Sequence, residues 1–361
     1  MASASPSAFS ASIAAGRPVF PASTLRRYVA EDLALLAEVE PDLVIGDLRL
    51  SLAVSARLLG IPYAAIANAH WSPDAPAGWP PSPVLPLTRR CGALGRGVVS
   101  ALMPIGMRLH ARSMGTVWRE HGLIPPRSLA HLYTDADAVL FADPPGWVDT
   151  SSAPSTHHHL GPLPWSPPCP APPWLSELQR TPGWIYVCLG STGDRTLLPA
   201  VIDGLLLLGR PIVVATAGAQ LPPGQLQRVR HAPMLPGDTM ADGAALVVCN
   251  GGAGTGQQAL AHGVPILGIP NNLDQFLYMR AVVRHGCGMQ VRGDRLDARR
   301  VRDAAALLIT DAAWSRRAQA MCRHMDPAAA GGRFRAVIDD LLQCGNVRAA
   351  DSAMELIHEP E

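Results

Sequence analysis

Apolar residues recur along the first part of the chain in two patterns, a helical spacing and short continuous runs. The helical spacing covers residues 25–40, where apolar positions lie three or four residues apart. The run Leu43-Val44-Ile45, closed by Gly46 and Asp47, is typical of a buried strand. A helix over residues 50–60 and a strand over residues 61–67 follow. Continuous apolar strands that alternate with helices predict a parallel sheet with both faces covered.

The same alternation begins again near residue 184. Strands are predicted over residues 184–189, 211–216, 244–249 and 264–269. Helices are predicted over residues 196–208, 274–285, 297–310 and 332–344, with another that ends at His262. In the first half, residues 91–121 are predicted to be helical and residues 138–141 to form a strand. The chain is therefore expected to contain two successive α/β domains.

A proline-dense stretch separates these two halves. Residues 161–173 read GPLPWSPPCPAPP, which is the composition of an extended, semi-rigid linker. We expect an irregular N-terminus over residues 1–24, a first domain over 25–160, a second domain over 174–345 and a tail over 346–361. The tract His157-His158-His159 is expected to be a solvated loop, because no further metal ligand lies at a suitable spacing.

Charge and composition narrow the possible partners. The 361 residues include 30 Lys+Arg and 29 Asp+Glu, so a net charge of +1 gives no reason to expect nucleic acid or an anionic membrane. Every basic residue is Arg, which excludes a Schiff-base lysine and a phosphate-binding P-loop lysine. The 7 cysteines form no CxxC pair, so neither a disulfide framework nor a zinc site is expected. No signal peptide or membrane span is evident, and a cytoplasmic location is the default expectation.

The strongest chemical signal lies in residues 245–275. A predicted strand is followed there by Asn250 and the turn Gly251-Gly252-Ala253-Gly254, and then by Thr255 and a helix. A turn with almost no side chains lets a ligand approach the backbone, and the N–H groups at a helix start favour an anion. A diphosphate is the natural occupant of such a turn.

This segment resembles the family 1 glycosyltransferases with the GT-B fold. The family includes UDP-dependent enzymes of plants and animals and the bacterial macrolide and antibiotic glycosyltransferases. The positions that match the family motif are Gly251, Gly252, Gly254, Thr255, Ala259, Leu260, Gly263, Val264, Pro265, Pro270, Asp274 and Gln275. The resemblance extends over about residues 25–345 and is sharpest after Tyr186.

The resemblance implies two Rossmann-like domains with parallel sheets facing a central cleft. It implies that a hexose moves from a UDP- or TDP-sugar to a hydroxyl of a lipophilic small molecule, with inversion at the anomeric carbon and without a metal or other cofactor. The diphosphate would lie on residues 250–255. The remaining donor-site positions carried over from the family are Ser191, Met234 beside the base, Gln258 at the ribose, and Asp274 and Gln275 at the sugar hydroxyls.

Two donor-site positions depart from the family pattern. Asn250 replaces a His that contacts a phosphate, and Gln258 replaces a Glu that holds the ribose hydroxyls. Both amides keep the shape and polarity of the replaced side chain but supply no charge. The changes indicate either a retuned nucleotide site or a disabled one.

The third departure concerns the general base. The family carries its base, a His, on a Gly-rich loop after the first strand of the acceptor domain, and residues 1–27 contain no such strand. The first domain is therefore expected to be incomplete, which would expose an apolar sheet edge and could require a protein partner. Asp47 matches the family's relay carboxylate, although it could instead cap the next helix.

Other first-domain residues are candidates for the acceptor side. His70 follows a predicted strand and could replace the missing base, although a packed histidine is the alternative. Trp71 and Trp79 could line an apolar acceptor pocket or form a small satellite core. Asp135 and Asp137 spell a metal-binding DxD motif, but their position before a first-domain strand favours a structural role.

Two interpretations of the function remain. The first is an inverting glycosyltransferase, and the second is a catalytically silent homologue that binds a nucleotide or glycoside or assists an active enzyme. A sugar epimerase fits less well, because the Asp274-Gln275 ending belongs to the transferases. A dinucleotide oxidoreductase is disfavoured, because no GxGxxG follows a first strand.

Overall fold

A computed structural model describes residues 20–76, 78–80, 92–163, 165–166, 168–190 and 192–357 of the chain, which divides into two units. At residues 92–93 and 344–357 only the backbone is described. The first unit comprises Met1–Ala77, Leu102–Gly161 and Ala328–Glu361, and the second comprises Gly78–Ala101 and Pro162–Pro327. The chain passes between the units near residues 77, 101, 161 and 327, and only the crossing near residue 161 lies at the start of the predicted linker.

The first unit is built on a parallel sheet of four strands. Its elements up to the linker are α1 Ala22–Val39, β1 Val44–Asp47, α2 Leu52–Leu59, β2 Tyr63–Ala67, α3 Gly92–Glu120, α4 Leu129–Tyr133, β3 Ala138–Phe141 and β4 His157–His159. The part of α3 before Leu102 belongs to the second unit. The strand order is β1-β2-β3-β4, and every pair is parallel. Gly60 ends α2 in the left-handed conformation, where its N–H bonds the carbonyls of Ala56 and Arg57.

The second unit is built on a parallel sheet of six strands. Its elements begin with α5 Leu175–Gln179, β5 Ile185–Cys188, α6 Leu198–Leu206, β6 Ile212–Ala215, α7 Pro223–Leu226, β7 Arg230–Ala232, α8 Gly237–Ala241 and β8 Leu246–Cys249. They continue with α9 Ala253–Ala261, β9 Ile266–Gly268, α10 Leu273–Arg284, β10 Gly288–Gln290, α11 Ala298–Thr310 and α12 Ala312–Cys322. The strand order is β10-β9-β8-β5-β6-β7. The predicted α/β class with parallel sheets is confirmed.

The long helix α13, Pro327–Ile357, closes the described chain. Its apolar residues Ala330, Phe334 and Val337 pack with Leu140 and Leu160 of the first unit. The sequence predicts a second domain that extends to residue 345. In the structure, however, Ala328–Glu361 belong to the first unit. The helical spacing of this segment was visible in the sequence, but the sheet that receives its apolar face was not.

Several short elements were not predicted. The His157–His159 tract was predicted to be a loop, and the structure corrects this: it is strand β4, paired in parallel with β3. The strands β7 and β10 also have three residues each and lie at the edges of the second sheet. Three residues carry no measurable alternation, so such strands are defined by the neighbour that pairs with them.

Two further properties concern the described residues only. No described helix is long and apolar enough to cross a membrane. Cys169, Cys188, Cys249, Cys287 and Cys322, the cysteines whose side chains are described, are all free thiols.

The packing of α6 on α11 gives a test of the second core. A Cβ on Gly204 would overlap the carbonyl oxygen of Ala298 and lie 3.0 Å from the Cβ of Val301. We expect Gly204→Ala to lower the free energy of unfolding by about 1–3 kcal/mol, because two helices must separate. Urea unfolding measures the change. Gly224→Ala is the matched control, since a Cβ there meets nothing within 4 Å, and an equal loss in both variants would contradict the packing argument.

Candidate functional site

The candidate site lies where the strand order of the second sheet reverses. β5 pairs with both β6 and β8, and Cys188 at the end of β5 is the register partner of Cys249 at the end of β8. The loops that leave these two strands therefore start side by side. Ligands of open α/β sheets bind outside the carboxyl ends of the strands at such a reversal.

Asn250 joins these two loops through its side-chain amide. Its Nδ2 donates to the hydroxyl of Thr192 at 3.2 Å, and its Oδ1 accepts from the Gly252 N–H at 3.0 Å. A Cβ on Gly190 would lie 3.2 Å from this Nδ2, and one on Gly193 would lie 3.0 Å from the Asn250 Cβ. The side chain that replaces the family's His is thus packed tightly and braces both loops.

The start of α9 is open toward this side of the sheet. Gly251 has a φ of +77°, and a Cβ there would come 2.6 Å from the Met279 Cγ. Gly252 supplies no side-chain cap to the helix, and a Cβ on Gly254 would meet no heavy atom within 4 Å. The first amides of a helix have no acceptor inside it, and the dipole adds positive potential there. The geometry therefore suits an anion such as a diphosphate.

Gln258 is buried one turn further along α9, and its amide nitrogen is used inside the protein. Its Nε2 donates to the Trp165 carbonyl at 2.7 Å and to the Ser166 hydroxyl at 3.0 Å. The same hydroxyl accepts from the Asp238 N–H at 3.2 Å. A Cβ on Gly237 would overlap the Gln258 Oε1, so this backbone also packs against the amide. Gln258, which is expected to bind the ribose, therefore holds two neighbouring segments, one at Trp165 and Ser166 and one at Gly237.

Gln275 is the capping residue of α10. Its Oε1 accepts from the N–H groups of Asn271 at 2.8 Å and Asn272 at 3.3 Å, and its own N–H donates to the Asn272 Oδ1 at 3.1 Å. Its Nε2 lies 3.4 Å from the Thr192 hydroxyl. Asp274 lies beside it in the first helical turn and is half-buried. Of this expected sugar-binding pair, Gln275 has a structural function.

Thr192 was not identified from the sequence. Its hydroxyl accepts from Asn250 and is within hydrogen-bonding reach of Gln275, so it links the starts of α9 and α10. The signal was its position after the predicted Gly-Ser loop, of which Ser191 itself lies outside the described residues. Met234, expected beside the base, has 54% of its surface exposed and precedes the buried Leu235.

In the first unit, Asp47 lies at the exposed carboxyl end of β1, where partial desolvation raises its pKa above the usual value. The loop after it is held firmly. Leu48 has a φ of +50°, and the next residue, Arg49, bonds the buried Asp32 carboxylate at 2.8 Å. The Arg49 guanidinium also lies 4.2 Å from the centre of the Tyr28 ring.

His70 and Trp71 are buried, with 2% and 9% of their surfaces exposed. Trp71 meets the Tyr133 ring edge-on at 5.1 Å, as expected of a satellite core. The preceding Ala69 N–H donates to the fully buried Asp143 carboxylate at 2.7 Å, which fixes the backbone of this turn. In this arrangement the His70 ring has little access to a substrate hydroxyl.

Trp79 belongs to the second unit, and Trp71 belongs to the first. The Trp79 carbonyl accepts from the Ser100 hydroxyl at 2.5 Å. The neighbouring Gly78 carbonyl accepts from Arg280 on α10 at 2.6 Å. The two tryptophans expected in one acceptor pocket therefore lie in different compact units.

The candidate metal ligands have structural partners. Asp135 pairs with Arg57 at 2.7 Å, and the Asp137 carboxylate accepts from the Tyr63 N–H at 2.9 Å. The residues of His157–His159 lie in β4. Within the described ranges, no three His, Cys, Asp or Glu side chains form a group that could hold a metal ion.

The capping function of Gln275 is testable. Gln275→Ala removes the acceptor for two backbone N–H groups, and we expect it to lower the free energy of unfolding by about 1–2 kcal/mol. Urea unfolding measures the loss. Gln290→Ala on the exposed edge of β10 is the control. A stability equal to that of the unchanged chain would show that Gln275 does not hold this loop.

The histidines of β4 predict a pH dependence of stability. Burial lowers the pKa values of His157 and His159 below the ordinary 6.5. Near pH 6 these two histidines therefore bind more protons in the unfolded chain than in the folded chain. Their contribution to the free energy of unfolding is complete above pH 6.5 and is lost as the pH falls below that value. His159 also bonds the Asp143 carbonyl at 3.3 Å and the Thr150 hydroxyl at 2.9 Å.

We expect His159→Gln to flatten the slope of unfolding free energy against pH between about pH 5 and 7. Urea titrations at each pH give the slope. His121→Gln, at an exposed position after α3, is the control. An unchanged slope in the His159 variant would show that His159 does not cause the pH dependence of stability.

Comparison with known proteins gives three concordant results. Residues 202–332 match the family model of the erythromycin biosynthesis protein CIII-like C-terminal domain. A PGL/p-HBAD biosynthesis glycosyltransferase of Mycobacterium tuberculosis is 40% identical over 321 residues, which are 88% of this chain and 75% of the relative. A PGL/p-HBAD biosynthesis rhamnosyltransferase of Mycobacterium bovis is 43% identical over 289 residues, or 80% of this chain and 64% of the relative.

Among solved structures, a spinosyn rhamnosyltransferase complexed with thymidine diphosphate aligns with a TM-score of 0.63. The alignment covers 91% of this chain and 81% of that one at 20% identity, so it supports the GT-B fold alone. The identity to the mycobacterial glycosyltransferase and the coverage of its length establish the family. The chain belongs to the macrolide-type family 1 glycosyltransferases with the GT-B fold.

Proposed function

We propose that the chain transfers a hexose from a thymidine or uridine diphosphate sugar to a hydroxyl of a lipophilic small molecule. The observation that carries this proposal is the open start of α9 at the reversal point of the second sheet. The rhamnosyltransferase activity named for one relative, and the thymidine diphosphate in one structural neighbour, favour a TDP-linked deoxyhexose.

The leaving diphosphate would be held by backbone rather than by charged side chains. The N–H groups of Ala253, Gly254 and Thr255 begin α9, and the Thr255 hydroxyl adds a further donor. Preorganised amides stabilise charge that develops on a leaving group without any reorganisation during the reaction. This arrangement supports a transfer that needs no metal ion.

Asp47 is the proposed relay carboxylate of the acceptor side. It ends a parallel strand, and the clamp of Arg49 on Asp32 and Tyr28 fixes the loop that follows it. In the family pattern, a base histidine would take the proton of the acceptor hydroxyl, and a carboxylate at the position of Asp47 would stabilise the imidazolium that forms. Attack by the acceptor oxygen opposite the leaving diphosphate would then invert the anomeric carbon.

A catalytically silent homologue is the second candidate. The buried His70 and the internal use of the Gln258 and Gln275 amides favour it. A silent homologue that binds the nucleotide differs from the transferase in turnover, so turnover separates these two. Release of TDP from TDP-rhamnose with hydroxylated lipophilic acceptors would support the transferase, and binding without release would support the silent homologue.

A bulky side chain at the start of α9 tests the nucleotide site. Gly254→Leu fills space where a Cβ meets nothing within 4 Å, so the fold should tolerate it. We expect it to weaken TDP binding at least about tenfold, because the leucine blocks the helix amides. Calorimetric titration measures the affinity.

Gly224→Leu is the matched control, at the second position of another helix and also in open space. Thermal unfolding confirms that both variants fold. Unchanged TDP affinity in the Gly254 variant would show that the nucleotide binds elsewhere.

A further inference from the structure

The helix α3 carries apolar side chains on two opposite faces. On one face, Met114 and Trp118 are buried in the core of the first unit. On the other face, the exposed fractions are 52% for Leu102, 53% for Ile105 and 43% for Leu109. Met114 follows Ile105 by nine residues, and Trp118 follows Leu109 by nine, which is about two and a half helical turns, so the two faces are opposite.

The exposed side chains are aligned. Leu102, Ile105 and Leu109 lie three and four residues apart, so they form one line along the helix, here called the outer stripe. The same spacing begins in the part of α3 that belongs to the second unit, where Leu94 and Val98 are also exposed. A surface helix normally presents polar residues to water. Aligned apolar residues on the solvent side of a helix that is already packed on its other side therefore mark an interaction surface.

Arginines border the outer stripe. Arg108, Arg112 and Arg119 are all exposed, and their spacings of four and seven residues place them in a row along the helix. The helix has no acidic residue before Glu120, whose two carboxylate oxygens accept from Arg26 at 2.7 and 2.8 Å. This helix thus combines an apolar line with a positive row, although the net charge of the whole chain is only +1.

We propose that α3 docks on the surface of an anionic lipid bilayer, with the outer stripe among the acyl chains and the arginine row at the headgroups. Such a surface offers apolar and negatively charged groups side by side along a helix that lies in its plane. A second copy of the chain fits less well, because α3 has no carboxylate before Glu120 to pair with the arginines of another α3. The proposal goes beyond the proposed sugar transfer, since it needs neither nucleotide nor acceptor to be bound.

Polar side chains in the outer stripe test its apolar contribution. The double variant Ile105→Gln, Leu109→Gln places good helix formers at exposed positions, so the fold should be retained. We expect its partition onto vesicles of phosphatidylcholine and phosphatidylglycerol to fall at least about tenfold, because two apolar side chains no longer leave water. Co-sedimentation of the full chain with the vesicles measures the partition. The matched control is Leu207→Gln, Leu307→Gln, at two exposed leucines of the second unit.

The arginine row predicts a dependence on lipid charge. The unchanged chain should bind vesicles that contain phosphatidylglycerol more tightly than vesicles of phosphatidylcholine alone, and the difference should shrink as salt is raised. Arg108→Gln, Arg112→Gln should weaken binding to the anionic vesicles about tenfold and leave binding to the neutral vesicles unchanged. The control Arg228→Gln, Arg299→Gln removes the same charge from exposed positions of the second unit.

Thermal unfolding verifies that each variant folds. If the unchanged chain does not sediment with the anionic vesicles, or if the outer-stripe variant binds them as well as its control does, the lipid proposal fails, and nucleotide titration still tests the proposed function separately. Sedimentation velocity without lipid tests the other occupant. A dimer that the outer-stripe variant converts to a monomer would assign the stripe to a second copy of the chain and overturn the proposal.

Discussion

The parallel pairing of β5 with β8 is the constraint on which the candidate site depends. It aligns Cys188 with Cys249 and so starts two glycine-rich loops at the same edge of the sheet. Two loops with so few side chains would have little to hold them together. The Asn250 amide supplies the link by donating to one loop and accepting from the other. The open start of α9 follows from this arrangement, because the space beside the first helical turn is bounded by glycine backbone.

Side-chain amides at three positions share this kind of function. Asn250 and Gln275 each donate and accept at once, which neither a carboxylate nor an ammonium group can do, and Gln258 donates to both the Trp165 carbonyl and the Ser166 hydroxyl. Each therefore connects two backbone segments that have no hydrogen bond to one another in the sheets. The consequence is a site with little formal charge at these positions. The proposed anion binding there would depend on helix amides, which are oriented by the fold.

The first unit uses charge differently. Asp32 is almost fully buried, and the Arg49 side chain neutralises it while also covering the Tyr28 ring. A buried ion pair adds little net stability, but removing one partner is costly, so it fixes geometry. Here it fixes the loop after β1 beside the left-handed Leu48. The buried Asp143 carboxylate fixes the turn that carries His70 by accepting a hydrogen bond from the Ala69 N–H.

The sequence by itself determined the class of fold and the expected location of the nucleotide site. The apolar runs that contain Val187 and Val248 indicate strands buried on both faces of a sheet. The glycine turn after Cys249 indicates a backbone that a ligand can approach. Both signals are local, so one sequence is enough to detect them. Only the tertiary structure decided which amides are used internally, that His157–His159 forms a strand and that α13 packs on the first unit. Hydrogen-bond partners and edge-strand neighbours are distant in sequence, and no local pattern encodes them.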